Sequence, residues 1–236
     1  MDLITLDFET YYDKAFSLKK LTTEEYVRDP RFEVIGVGVK VNSEVTEWGS
    51  GTHEQLSKYL QSFDWENSML LCHNTMFDGA ILGWCFGIHP RVYADTMCIA
   101  RAIHGVEVSA SLKAVSEKYG VGEKGTEVVN ALGKRRVEFT AEELSRYGDY
   151  CINDVDLTFK LFMRMANNGK FPRLEMKLID LTLRMFIQPV LDLNLELLEQ
   201  HLTETRDRKE ALLGAAGVTK EDLMSNAKFA EVLKSL

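Results

Sequence analysis

Apolar and polar positions alternate over Leu3-Ile4-Thr5-Leu6-Asp7-Phe8, which predicts a first strand. A polar, aromatic stretch follows through Pro30. Glu33 to Val41 (EVIGVGVKV) and Val45 to Trp48 predict two further strands, and Asn42-Ser43-Glu44 between them suits a hairpin turn. Thr52 to Phe63 reads as a helix, capped by Thr52 with Gln55 three positions on. Ser68 to His73 is short and nearly all apolar, the pattern of a strand buried on both faces, as parallel strands are. A helix is predicted over Thr75 to Phe86, stopped by Gly87. Val92-Tyr93-Ala94 forms another strand, after which Asp95 caps a helix over Thr96 to Ile103. Ser111 to Tyr119 is a further helix, closed by Gly120. Gly120 to Arg136 carries Gly120, Gly122, Gly125 and Gly133 and the basic run Lys134-Arg135-Arg136, and reads as a mobile loop. Thr140, with Glu143 completing a capping box, opens a long helix running to about Met165 and ended by Asn167-Asn168-Gly169.

Three strands expected to form an antiparallel meander, then alternating helices and strands, predict an α/β architecture: a mixed sheet with flanking helices. A boundary is placed near Pro172, giving one domain over 1–172 and a C-terminal helical extension over 173–236. In that extension Leu174, Leu178, Leu181 and Met185 recur at helical spacing, Pro189 interrupts, and Leu195 to Leu213 resumes the pattern. The chain stops at Lys234-Ser235-Leu236 inside a helical pattern, so a longer polypeptide or a split gene product is expected.

Composition changes this picture little: 45% apolar and 27% charged residues describe an ordinary globular chain and exclude a disordered or disulfide-scaffold class. No apolar run is long enough for a membrane span, and Met1-Asp2-Leu3-Ile4-Thr5 has no basic, apolar secretory pattern; a cytoplasmic protein is expected. Cys72, Cys85, Cys98 and Cys151 sit singly, without a C-x-x-C pair, and read as buried free thiols. His53, His73, His89, His104 and His201 have no metal-pair spacing, so a histidine metal site is not expected. Charge matters more. The formal net charge of −8 opposes nucleic-acid binding unless part of the acidity is a metal site, where bound cations reverse the local sign.

Three acidic patterns answer that condition. Asp7-x-Glu9 closes the first strand, and residues two apart on a strand share a face. The bland reading is a solvated strand end. Asn74 and Asp78, four apart, open the helix after the apolar strand; simple capping is the alternative. Tyr150 and Asp154 are four apart inside the long helix, where a core tyrosine beside a surface acid is the alternative. Asp149 and Asp156 point well away from Asp154, while Tyr147, seven residues before it, stays open geometrically.

Taken in order, Asp7-x-Glu9, Asn74-x-x-Phe77-Asp78 and Tyr150-x-x-x-Asp154 resemble the three motifs of the DEDDy branch of 3′→5′ exonucleases, which includes polymerase proofreading domains and ribonuclease D-like enzymes. Ala94-Asp95-Thr96-Met97 and Ser111-Leu112-Lys113 match supporting stretches. Over nearly the whole chain the likeness is to the N-terminal half of phage family A (DNA polymerase I-type) polymerases, carried by LDFETYYDKAFSLKKLTTEEYVRDPRFEVIGVGV; residues 173–236 resemble the start of the polymerase thumb region. Asp149 stands where the DEDDh branch has histidine, which favours the tyrosine branch. The polymerase palm and fingers motifs are not in this sequence, and Tyr11-Tyr12-Asp13 does not match the residue that wedges the terminal base in related enzymes.

The resemblance implies a ribonuclease H-like fold and a two-metal phosphodiester hydrolysis that releases nucleoside monophosphates from the 3′ end of single-stranded DNA, as the proofreading part of a phage DNA polymerase. It implies two magnesium ions, with manganese able to substitute. Asp7, Glu9 and Asp154 would hold the ion that activates a water, and Asp7 and Asp78 the ion that stabilises the leaving 3′ oxygen. Tyr150 would orient the water. Thr10 and Asn74 would contact the terminal nucleotide, and Phe77, with Tyr11 and Tyr12, would offer stacking surfaces or else belong to the core, the more common place for such aromatic residues. Lys134-Arg135-Arg136 would touch backbone phosphate or remain a solvated loop. The partners implied are a DNA 3′ end and a polymerase region in the same or a separate chain, in the host cytoplasm if the chain is phage-encoded. Two other readings use the same fold: a ribonuclease D-like exoribonuclease, and a non-catalytic nucleic-acid- or partner-binding module, which would be expected to lack a motif acid.

Overall fold

The computed structural model describes residues 1–125, 131–166 and 171–235. Residues 126–130 of the expected loop, and Asn167-Asn168-Gly169 expected to end the long helix, lie outside them.

β1 (Asp2–Thr10) is the centre of a five-stranded sheet. It pairs antiparallel with β2 (Val34–Val41), which pairs antiparallel with β3 (Glu47–Gly49). On its other side β1 pairs parallel with β4 (Ser68–Cys72), and β4 with β5 (Val92–Asp95). The meander and the parallel strands are those the pattern predicts, in the order β3-β2-β1-β4-β5. The alternation of a strand divides the core. Leu70 faces a cluster with Leu6, Phe8, Val37, Ile81 and Tyr93, whereas its neighbour Leu71 faces Ile99, Val115, Leu157 and Leu161.

The helices are α1 (Thr23–Arg28), α2 (His53–Leu60), α3 (Thr75–Phe86), α4 (Thr96–His104), α5 (Leu112–Tyr119), α6 (Ala141–Met165) and α7 (Arg173–Ile187). Among the described residues no helix is long and apolar enough to cross a membrane. α1 lies inside the stretch without a predicted element. Its signal was present nonetheless: Thr22 and Glu25 form a reciprocal capping box at its start. α6 begins as expected, with the Thr140 hydroxyl accepting from the Glu143 N–H. Two glycines let it press on the sheet. A Cβ on Gly38 would lie 2.9 Å from Cys151 Sγ, and one on Gly148 would lie 2.6 Å from the Trp48 ring.

By packing, the chain divides into Met1–Pro189 and Val190–Leu236. The boundary expected near Pro172 therefore falls inside the first unit, because α7 is bound to the sheet layer. Ile187 fills the notch above Gly79 and Gly83, where a Cβ on Gly79 would come within 2.5 Å of its Cδ1. Trp84 Nε1 donates to the Ile187 carbonyl at 2.9 Å, and Asp180 Oδ1 accepts from the Tyr93 N–H at 2.8 Å. The face so buried carries Leu183 and Ile187, with Met176 and Ile179 partly buried. The stripe of Leu174, Leu178, Leu181 and Met185 is exposed instead. The second unit is helical: α8 (Leu195–Ala216), α9 (Lys220–Met224) and α10 (Asn226–Ser235).

Candidate active site

The end of β1 carries Asp7 and Glu9, on the face covered by α6. One ligand atom each of Asp7, Glu9 and Cys151 lie within 4.8 Å of one another. The pairing register slips between Glu9 and Thr10, an irregularity of the kind that re-aims side chains beside active sites. Asp78 arrives from the first turn of α3, and its Oδ1 accepts the Phe8 N–H at 3.0 Å, which ties that helix to β1 between the two strand acids. Asp154 arrives from α6. Asp78 and Asp154 are buried, at 2% and 4% exposure.

The turn that delivers Asp78 is held from the neighbouring strand β5. Asn74 occupies the left-handed region at φ 77°, which asparagine tolerates better than most residues, and its side chain makes no capping bond. Its backbone N–H and that of Thr75 donate to the two carboxylate oxygens of Asp95, at 3.0 and 3.1 Å. Asp95 also caps α4 by accepting from Met97 N.

Electrostatics bind the four carboxylates into one group. Asp7 and Glu9 retain some solvent-exposed surface, yet they sit deep among protein atoms. Burial first, then the Asp154 charge, raises Asp7 from its usual value to about 7, with Lys124 and the Cys151 thiol pulling the other way. Burial and the Asp7 charge push Glu9 well above the usual carboxylate range, against a hydrogen bond from Tyr147. Burial and the Asp7 charge likewise push Asp78 well up, against the Phe8 N–H. Burial raises Asp154 while Lys124 and the Tyr150 hydroxyl draw it down. Carboxylates crowded in this way need cations or protons.

Their chemistry suits a divalent metal. The donors are hard oxygens, and Asp154 Oδ1 is buried without a hydrogen-bond partner, the state of a ligand atom lacking its acceptor. Cys151 is a poor competitor for such an ion: burial, then the Asp7 charge, keeps its thiol protonated, and it donates to the Asp7 carbonyl at 3.3 Å.

Four further side chains take part, of which Tyr147 and Asp95 are visible in the sequence as an open candidate and a helix cap. Lys124 Nζ lies 2.6 Å from Asp154 Oδ2. Tyr147, left open in the sequence, bears on the titration of Glu9, whereas Tyr150 bears on that of Asp154 and Lys124. Cys151 and the bracing role of Asp95 complete the set. Lys124 and Cys151 carried no motif signal. Tyr147 could be found from its position one turn before Cys151 on the same α6 face.

Beside Glu9 opens a cavity of about 500 Å³ lined by Thr10 and Phe77, with Lys14, Lys19 and Lys20 among its other residues. Thr10 Oγ1 is hydrogen-bonded to the Tyr26 hydroxyl at 2.9 Å. Tyr12 lines the same cavity, while Tyr11 is covered by the Arg135 guanidinium at 3.8 Å from its ring centroid. In the basic run, Lys134 pairs with Glu143 at 2.6 Å and Arg135 with Glu33 at 2.9 Å, so both cations are engaged within the fold. His73 is bonded to Thr96 and to the Ala110 carbonyl.

An acidic pocket at the end of the central strand of a mixed, helix-flanked sheet defines a nuclease-type α/β protein. The model of a 3′-5′ exonuclease family matches residues 27–170, and the chain belongs to that family. The match contains Asn74, Phe77, Asp78, Tyr150 and Asp154 and begins after Asp7 and Glu9. No curated protein matches the chain in sequence. Among solved structures, Trypanosoma brucei RNase D in complex with RNA U12 is similar with a TM-score of 0.60 and 16% identity, over 81% of this chain and 66% of that one. Brucella melitensis NrnC is similar at 0.53 and 14%, over 79% and 82%. The same protein with bound Mg2+ gives 0.51 and 14%, over 78% and 81%. These likenesses show the fold, which is ribonuclease H-like, as expected from the sequence.

Proposed function

We propose that the chain is a 3′→5′ exonuclease of the DEDDy type, acting on single-stranded DNA as the proofreading part of a phage family A polymerase in the host cytoplasm. The observations that support it most are geometric: ligand oxygens of Asp7 and Glu9 lie within 4.8 Å of one another at the end of β1, Asp78 accepts the Phe8 N–H between them, and Asp154 Oδ1 is buried without a partner. Asp7, Glu9 and Asp154 would hold one magnesium or manganese ion, and Asp7 and Asp78 a second. When bound, the pair would supply an acidified water and charge stabilisation for the leaving 3′ oxygen. The chain does the rest. Tyr150 orients the attacking water through its hydroxyl, with Glu9 sharing that task. Thr10 and Phe77 receive the terminal nucleotide in the adjoining cavity, and Asn74 contacts it from the turn. Lys14, Lys19 and Lys20 offset the acidity along the strand's path. The helices after Pro172 are proposed to lead into a polymerase region on the same or another chain.

The test is metal-dependent release of mononucleotides from a labelled 3′ end. The double variant Asp7→Ala/Glu9→Ala should lose this activity while keeping the fold by circular dichroism; undiminished digestion by it would refute the assignment. A second reading, a ribonuclease D-like exoribonuclease, is favoured by the solved relative that holds RNA in its complex. Matched DNA and RNA strands of one sequence separate the two.

A further inference from the structure

The acidic cluster carries its own cation. Lys124 Nζ pairs with Asp154 Oδ2 at 2.6 Å and stands 5.2 Å from the centroid of the Tyr150 ring. Its segment is laid along α6 at several points. Asn153 Nδ2 donates to the Glu123 carbonyl at 3.2 Å. Glycines flank the lysine where the backbone runs closest. A Cβ on Gly122 would lie 2.9 Å from Leu157, and one on Gly125 would lie 3.4 Å from the Tyr150 ring. The pair is largely shielded, with the Asp154 side chain 5% and the Lys124 side chain 30% exposed. The other oxygen of Asp154 is the buried, partnerless one.

We propose that Lys124 is a built-in placeholder for a divalent cation: its ammonium holds Asp154 and Tyr150 in position in the metal-free protein and leaves Asp154 Oδ2 when the ion binds. The inference rests on reading the carboxylates as metal ligands. The reason for departure is Coulombic. An ammonium and a dication on one carboxylate repel strongly where water is scarce, and the dication is the better match for several crowded acids. Placeholder and ion therefore compete. The ammonium offsets the carboxylate repulsion that would otherwise push the empty site apart, at the cost of weaker ion binding. Lys124 is a positioning residue in this scheme, acting through Asp154 and Tyr150.

Manganese binding to the full, EDTA-stripped chain tests it, read by the electron paramagnetic resonance signal of free Mn2+. Lys124→Met should bind Mn2+ about tenfold more tightly than the wild type, a coupling of ordinary size between two sites. Lys124→Arg, which keeps the competing charge, should stay close to the wild type. Equal or weaker binding by Lys124→Met overturns the placeholder role alone; absence of Mn2+ binding by the wild type overturns the nuclease reading and this inference together. A measurement on the wild type covers failure of Lys124→Met to fold. Amine-reactive labelling followed by mass spectrometry should show Lys124 severalfold more reactive with Mn2+ than with EDTA, with Lys134, paired to Glu143, as the unchanged reference. Unchanged or reduced labelling of Lys124 overturns the proposal.

Discussion

Tyr150 and Tyr147 divide the α6 side of the acidic cluster, the first bearing on the titration of Asp154 and Lys124, the second on that of Glu9. Tyr150→Phe removes a hydroxyl without removing a carboxylate. It should lower turnover about a hundredfold, the scale of one lost proton-handling or water-positioning group, with Mn2+ affinity nearly retained. Single-turnover digestion together with a metal titration measures both; turnover at the wild-type level would transfer water positioning to Tyr147 or Glu9. At this scale the sequence was informative wherever a short period places side chains together. Asp7 and Glu9 share a face because a strand repeats every two residues, and Tyr150 and Asp154 because a helix nearly repeats after four. Lys124 could not be read that way. Its partner lies thirty positions on, and only the docking of its segment on α6 makes the pair.

α7 shows what an element's pattern leaves open. Both Leu174-Leu178-Leu181-Met185 and Met176-Ile179-Leu183-Ile187 are apolar stripes at helical spacing, so periodicity predicts the helix and not its inward face. The choice is made by the partner: Gly79 and Gly83 on α3 form a notch that accepts Ile187. Ile187→Ala empties that notch and should cost about 2–5 kcal/mol of stability, measured by urea denaturation. Leu178→Ala, at 46% exposure, should cost far less. Equal losses would mean that the inward face has been misassigned. α1 was missed because six residues span under two turns, too short for an amphipathic pattern, although its Thr22–Glu25 capping box was present in the sequence.

For the molecule as a whole, the raised carboxyls make metal-free stability fall as pH rises. Asp7, Glu9 and Asp78 keep protons in the folded state at pH values where the unfolded chain has lost them. The folded state then binds more protons, and the slope of stability with pH is negative. The loss starts near the ordinary aspartate value of 3.8 and, for Asp7, completes as pH passes about 7. The melting temperature in EDTA should therefore be higher at pH 5 than at pH 8, and Mg2+ should narrow the gap, since ligand carboxylates bind it ionised. A melting temperature in EDTA that is flat or rising over that interval would contradict the raised values.

The tight seating of α6 on the sheet at Gly38 and Gly148 sets a tolerance on spacing. With no slack at that contact, the helix has one permitted rotation. Inserting or deleting a single residue between Gly148 and Asp154 would turn everything beyond it by about 100°. The glycine would stay against Trp48 while the acid swung out of the pocket. A side chain at either glycine would meet Cys151 or Trp48, and the count of residues along that stretch cannot drift.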